Sequence, residues 1–376
     1  MRNLLNISFL APTVFSLLVS TMLSIGTANA NPNIINKTRK SVDVAVEEQK
    51  FGIRNGSTIV APVPFSNPVI GTGLTLGVGY LFVTAPDADP SFFALGAMAS
   101  SNGSQAYGIG ADVSFQNGWS FDFALAEAQL SYDLFFGSQP ISIDQDGTLF
   151  NAGSDYKLSN NFSIGAGLRY LDSSISLASS NTPIPGDLVP DLNLEVATIE
   201  LRILWDERND KTYPTDGKRF SVSANVGETL GAGDRQYGFG SANFDFYRSI
   251  SETGMFAGRV SACAASSDTP FFDKCSIGFS DSFRGFDPLQ YLDTRLLSAQ
   301  LEYRQRLGKR FGVVAFGGLG YTASSFADLL DNGDRIAVGA GVRYRVSKQY
   351  PLDFSLDFTT NNDQEEYVYI FIGQRF

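Results

Sequence analysis

The feature that most restricts this chain is a period-two alternation of apolar and polar residues, repeated along most of its length. In IAVGAGVRYRV (336–346), Ile336, Val338, Ala340, Val342, Tyr344 and Val346 share one face, while Arg343, Arg345 and small residues take the other. RFSVSANV (219–226), LDFSLDF (352–358) and FSIGAGLRY (162–170) behave alike. Successive strand side chains point to opposite faces, so each segment has one greasy and one wet side. A soluble sandwich would also alternate. Here the polar faces are rich in Gly and Arg, which suits a crowded aqueous lumen. The segments also exceed the usual ~5–6 residues and are long enough to cross a bilayer when tilted. An unpaired sheet edge is not tolerated in lipid, so such strands must close on themselves. The expected fold is all-β, a transmembrane antiparallel β-barrel.

Sixteen strands fit the pattern. The earlier ones lie near 58–66, 73–84, 91–100, 106–116, 120–135 and 148–158. The later ones occupy 162–172, 194–206, 218–227, 237–249, 255–263, 295–307, 311–322, 335–347, 351–359 and 367–376. An even count suits a single-chain barrel. With even-numbered strands descending, SNN, NDKTYPTDG, SETG, LGKR and KQYP fall on the periplasmic side. The longer links SSNTPIPGDLVPDL and SSFADLLDNGD fall outside. The segment 120–135 changes apolar parity after Leu125, which predicts a bulge. In the last strand, Val368, Ile370, Ile372 and Phe376 share one parity, with Gln374 interrupting them. A terminal aromatic on such a strand is the usual recognition signal of bacterial outer-membrane barrels; an ordinary final strand is the alternative.

Residues 1–30 carry Arg2, an apolar run and Ala28-Asn29-Ala30, which reads as a cleaved secretory signal rather than a retained anchor. Residues 31–57 read as a polar periplasmic tail, and 58–376 as the barrel. The net charge of −11 argues against nucleic acid as a partner. The chain has no histidine, which removes Ser-His-Asp and Cys-His nucleophile systems and most catalytic zinc sites. Glycine-rich pieces such as GTGLTLG are strand glycines rather than phosphate loops, because no helix follows them. No enzymatic activity and no cofactor are expected.

Two motifs stand out. SFRGFDP places Arg284, Gly285 and Phe286 in the long link 264–294, and LWDERNDKTYPTDGKRF (204–220) joins two strands. In this order and strand spacing, the chain resembles the BamA/TamA superfamily of outer-membrane barrels. Arg284-Gly285-Phe286 matches the R-G-[FY] motif of that family's sixth loop. Asp206, Arg208, Asn209, Pro214, Thr215 and Gly217 match its strand-turn-strand motif. PVPFSNPVIGTGLTLG (62–77) looks like the start of the same barrel, and the resemblance covers nearly all of 58–376. It implies a barrel-only member without periplasmic POTRA modules, in the outer membrane of a diderm bacterium. Relatives usually carry F-x-D-x-G on strand 311–322, where this chain has Phe316-Gly317-Gly318-Leu319-Gly320.

A long loop folded into a lumen must be tethered against its own entropy. Glu302, inward on strand 295–307, offers a carboxylate that a guanidinium grips with two hydrogen bonds. A loop tether of Arg284, Gly285, Phe286 and Glu302 is expected, a solvated loop charge being the alternative. Asp353 and Asp357 stand as substitutes for the missing carboxylate at Gly318, unless Arg343 and Arg345 capture them. Cys263 and Cys275 are the two cysteines of an exported chain, and a bond between them would fasten the base of the Arg284 loop. Pro62 and Pro64 leave one edge of the first strand without two N–H donors. If that edge faces the last strand, they and Phe376 mark a weak seam; otherwise the prolines merely start the strand.

The resemblance implies a role in outer-membrane biogenesis, by inserting or translocating polypeptide or lipid. Client outer-membrane or secreted polypeptides, outer-membrane lipids and a second copy of the barrel are the expected partners. The other reading is a passive, cation-preferring pore.

Overall fold

A computed structural model describes residues 51–376 apart from 87, 138, 179–185, 187, 212, 232–234, 279–282 and 347–352. The signal 1–30, most of the tail 31–57, most of the link 179–192 and the KQYP turn lie outside the described residues. Sixteen strands close into an antiparallel barrel. The first half comprises β1 (Ser57–Asn67), β2 (Gly71–Val83), β3 (Pro90–Ser100) and β4 (Gln105–Ser114). Next come β5 (Trp119–Phe136), β6 (Gln139–Lys157), β7 (Phe162–Leu177) and β8 (Asn193–Asp206). The second half runs through β9 (Gly217–Leu230), β10 (Gln236–Ser249) and β11 (Gly254–Ala265). A two-residue ribbon in the following link pairs β12 (Cys275–Ser276) with β13 (Leu292–Asp293). The wall then continues as β14 (Arg295–Leu307), β15 (Phe311–Ala323), β16 (Arg335–Arg345), β17 (Asp353–Asn361) and β18 (Glu366–Ile372).

The apolar parity of the middle of each strand faces outward. Leu201 on β8 is 62% exposed and Val226 on β9 67%, whereas Ser223 and Asn225 are buried inward. Exposed leucine and valine in such numbers are affordable only against lipid.

The parity change in β5 is not a bulge. The registers to β4 (Gln105↔Gln129 through Ser114↔Ser120) and to β6 (Trp119↔Tyr156 through Phe136↔Gln139) are unbroken. The environment changes instead. A tilted strand needs about 9–11 residues to cross the hydrocarbon, and β5 has 18 and β6 has 19. Beyond the membrane the outer face meets water and carries Glu127, Asp144 and Asp146. The inner face there becomes apolar, with Ala128, Leu130, Tyr132 and Leu134 buried. These pack with Ile143, Leu171, Ile175 and Val196 from neighbouring strands and with Val69, Leu188, Phe271 and Leu289 from links. This end of the lumen thus holds an apolar core, where the alternation predicts a crowded aqueous interior.

The last strand also differs from expectation. β18 stops at Ile372, and Gly373 takes φ 97°, a left-handed conformation glycine adopts without penalty. Residues 374–376 turn into the lumen. Gln374 donates to Asp353 Oδ2 at 2.9 Å and accepts from Arg343 Nε at 3.3 Å. Phe376 is buried against Tyr247, Met255 and Ala257 on the far wall, and Arg304 Nη2 donates to its main-chain oxygen at 2.7 Å. Phe376 is therefore neither lipid-facing nor part of the seam.

Candidate functional site

The link between β11 and β14 folds back into the barrel and is held on opposite walls. On one side, Gly285 takes φ 113°. An added Cβ there would sit 2.4 Å from that of Ala337, so a side chain would lift the turn off β16. That close approach sends Arg284 into the wall, where it is 2% exposed. Its Nη2 lies 2.5 Å from Glu302 Oε2 and its Nη1 2.7 Å from Asp357 Oδ2. Its Nε donates to Gln300 Oε1 at 3.0 Å. The guanidinium also lies 3.5 Å from the centroid of the Phe316 ring. Phe286 is fully buried, packed with Phe283, Ile277, Leu296 and Ala337. Gly285 N donates to Tyr369 Oη at 3.0 Å, and Asn361 Nδ2 donates to Gly285 O at 2.9 Å. The motif thus touches β14 through β18.

The vacancy at Gly318 has a local cause. A Cβ there would lie 2.6 Å from the Phe283 ring and 2.8 Å from Ala299 O. Phe283 occupies the room a β15 carboxylate would need, and Asp357 on β17 supplies the second acid to Arg284. Asp357 is also held by Arg343. Asp353 is taken up by Arg306 and Arg345, at 2.6 and 2.8 Å. A buried charge network of this kind stands only because each ion has partners.

The opposite wall holds an anchor that reading the sequence missed. Asp273, just before the ribbon, receives Arg169 of β7, with Nη1–Oδ1 at 3.0 Å and Nη2–Oδ2 at 2.5 Å. Tyr237 of β10 donates to the same carboxylate at 2.9 Å. Arg169 and Asp273 side chains are 5% and 1% exposed. An inward arginine in FSIGAGLRY was visible in the sequence, but nothing local paired it with a residue 104 positions away. Cys263 on β11 and Cys275 on β12 are disulfide-bonded, with Cα atoms 5.7 Å apart. Asp287, in the same link, accepts from Leu289 N at 2.9 Å, and burial pushes its carboxyl up to about 6.

The turn motif forms a compact knot between β8 and β9. Arg208 grips Asp206 through Nε and Nη2, each at 2.9 Å. Asn209 Oδ1 accepts from the backbone of Thr215 and Asp216 at 3.0 and 3.1 Å. Pro214 is buried, and Gly217 takes φ 112° with its Cα against the Glu207 carbonyl. These residues shape the β8–β9 turn and do not reach Arg284.

The two ends of the wall meet weakly. β1 pairs with β2 from Ser57↔Leu81 to Asn67↔Gly71, but with β18 at Ser66↔Ile370 alone. Pro62 and Pro64 stand opposite Leu76 and Leu74, on the lipid-facing side of β1.

The Omp85 superfamily domain matches residues 92–376. No curated protein sequence matches the chain. Among solved structures, the barrel is similar to BamA from Haemophilus ducreyi lacking POTRA domains 1–3, with a TM-score of 0.58 and 14% identity over 85% of this chain and 70% of that one. It is similar to CdiB from Acinetobacter baumannii, with a TM-score of 0.57 and 11% identity over 84% of this chain and 59% of that one. CdiB from Escherichia coli gives 0.56 and 13%, over 86% of this chain and 68% of that one. At these identities the likeness is one of fold.

Proposed function

The chain belongs to the Omp85 superfamily of the bacterial outer membrane, and from that premise we propose that it assembles or translocates polypeptide through a barrel wall that opens between β1 and β18. The observation that carries this reading is the seam, paired at one position while every other strand interface is paired along most of its length. Few ladder bonds must break to part β1 from β18, and the prolines of β1 supply no N–H toward either neighbour. The Arg284 motif would keep the rest of the wall rigid while the seam moves, because it binds β14 through β18 from inside. The process needs no cofactor and no catalytic residue. Lipid at the parted seam and a second copy of the barrel are further partners in this proposal.

A passive cation-preferring pore fits less well, since a link anchored on both walls crosses the lumen. Depleting the protein from its host and scoring the levels of other outer-membrane and secreted proteins tests the proposal. A fall in those levels is expected. Unchanged levels with loss of small-solute uptake would reverse the choice between the two readings.

A further inference from the structure

Below the plug, near the periplasmic ends of β4 to β8, four inward carboxylates gather round one arginine. Asp112 and Asp122 stand directly opposite one another on β4 and β5. Arg202 of β8 reaches across β7 and β6 to meet Asp122 and Asp155, both at 2.9 Å, and lies 3.6 Å from Glu200. Gly153, Gly165 and Gly167 form the floor beneath it: a Cβ at Gly153 would sit 2.6 Å from Arg202 Nη2. Arg202 therefore serves Asp122, Asp155 and Glu200 at once and makes no ion pair with Asp112, so the carboxylates on this wall outnumber the guanidinium that contacts them. Like charges placed opposite each other on a sheet face repel, and burial deepens the cost unless a cation is present.

Independent of the charge count, the same wall has polar atoms with nothing to bond. Glu200 Oε1 is buried without a hydrogen-bond partner. So is Ser223 Oγ, cross-strand from Arg202, on a residue only 5% exposed. Asn225, opposite Glu200 and also 5% exposed, has an unpartnered Nδ2. The backbone of Asp112 pairs with Phe92 and Asp122, while its carboxylate makes no hydrogen bond or ion pair among the described residues. Two free acceptors and surplus negative charge call for a donor-rich cation, while the free amide donor calls for a carbonyl. Among the described residues no group of three or more acidic, histidine or cysteine side chains is placed to hold a metal ion.

We propose that this inward face of β4 to β9 binds an organic cation, a guanidinium or primary ammonium group. Its source is a basic side chain of a polypeptide in the lumen, whose main-chain carbonyl meets Asn225. A free polyamine offers the cation but no carbonyl. The inference deepens the proposed function, resting on it only for where the peptide comes from.

The test is calorimetric titration of the purified full-length barrel in detergent with the peptide acetyl-Gly-Arg-Gly-Arg-Gly-amide, its citrulline analogue, spermidine and Mg²⁺. The arginine peptide should bind at least ~10-fold more tightly than the citrulline analogue, a gap of ~1.4 kcal/mol. Asp112→Asn should weaken it several-fold, and Asp112→Asn with Glu200→Gln further, while Asp144→Asn on the outer surface should leave it unchanged. Asp112→Asn is the safer variant, because Asp112 holds nothing in place; heat-modifiable gel mobility verifies that each variant is folded. Equal binding of the citrulline peptide, indifference to Asp112→Asn, or displacement by Mg²⁺ at equal concentration would overturn the site. Spermidine binding as tightly as the peptide would uphold the cation site and overturn its assignment to polypeptide. None of these outcomes depends on assembly activity, so depletion and titration can fail separately.

Discussion

Arg284→Ala would strip the shared partner from Glu302, Asp357 and Gln300 while leaving all three buried. Breaking a buried pair in this way costs about 3–5 kcal/mol, softened here because Arg304 and Arg343 still reach the two acids. The folded fraction on a heat-modifiability gel should therefore melt at lower temperature, and Arg284→Lys should recover only part of the loss, since an ammonium cannot make the forked contact. Gly318 gives a second test. Gly318→Asp alone should destabilise by roughly 1–3 kcal/mol through overpacking against Phe283 and the Ala299 carbonyl, and its cost should be smaller in a Phe283→Ala background than in wild type, as a double-mutant cycle of urea midpoints would record. The arginine and its β14 acid were legible in the sequence because a rare R-G-F turn and an inward glutamate pointed at each other. Asp357 stood there only as one of two candidates, and no residue-level signal chose it over Asp353. The choice is made by position along β17: Asp357 lies level with Arg284, while Asp353, four residues earlier on the same strand, sits beside Arg306 and Arg345.

At the level of single elements, the strands were readable from their period and their ends less so. β14 occupies the span its alternation marks, whereas β6 begins well before 148. The early part of β6, like the late part of β5, reverses its polarity once outside the membrane, so a rule of apolar outward misreads it. The same rule misreads Phe376, whose parity suits a lipid face until Gly373 turns the chain inward. Gln374, an interruption in the apolar series, is what that turn uses to bind Asp353 and Arg343. In the plug link, the disulfide closes a loop of 12 residues, worth about 3 kcal/mol by chain entropy. Proteolysis within 266–291 should accelerate on reduction while the strands stay intact. Asp287 adds a pH dependence. Its raised carboxyl binds a proton more tightly when the link is docked, so its contribution favours the docked state at acid pH and is lost as pH rises from about 4 through about 6. Asp287→Asn should flatten the fall in unfolding midpoint between about pH 4.5 and 7.5 relative to wild type.

For the whole molecule, alternation and the intolerance of lipid for open edges were enough to predict a closed barrel. The wall-to-wall plug was not, because Arg169 and Asp273 meet only after β7 and the distant link are both in place. The barrel is braced from inside along β14 to β18 and most sparsely paired between β1 and β18. Backbone hydrogen exchange should find β18 and the facing edge of β1 far less protected than β8 and β9; equal protection would remove the weak seam. The most direct measurement uses the register at that seam, where Ser66 and Ile370 are cross-strand partners. Such partners lie at about 4.5–5.5 Å between Cα atoms, within reach of a disulfide. Ser66→Cys with Ile370→Cys should form that bond, fix the barrel shut, and depress the levels of client outer-membrane proteins as depletion does, while each single substitution leaves them normal. A doubly substituted protein that is fully cross-linked yet supports normal client levels would contradict the account.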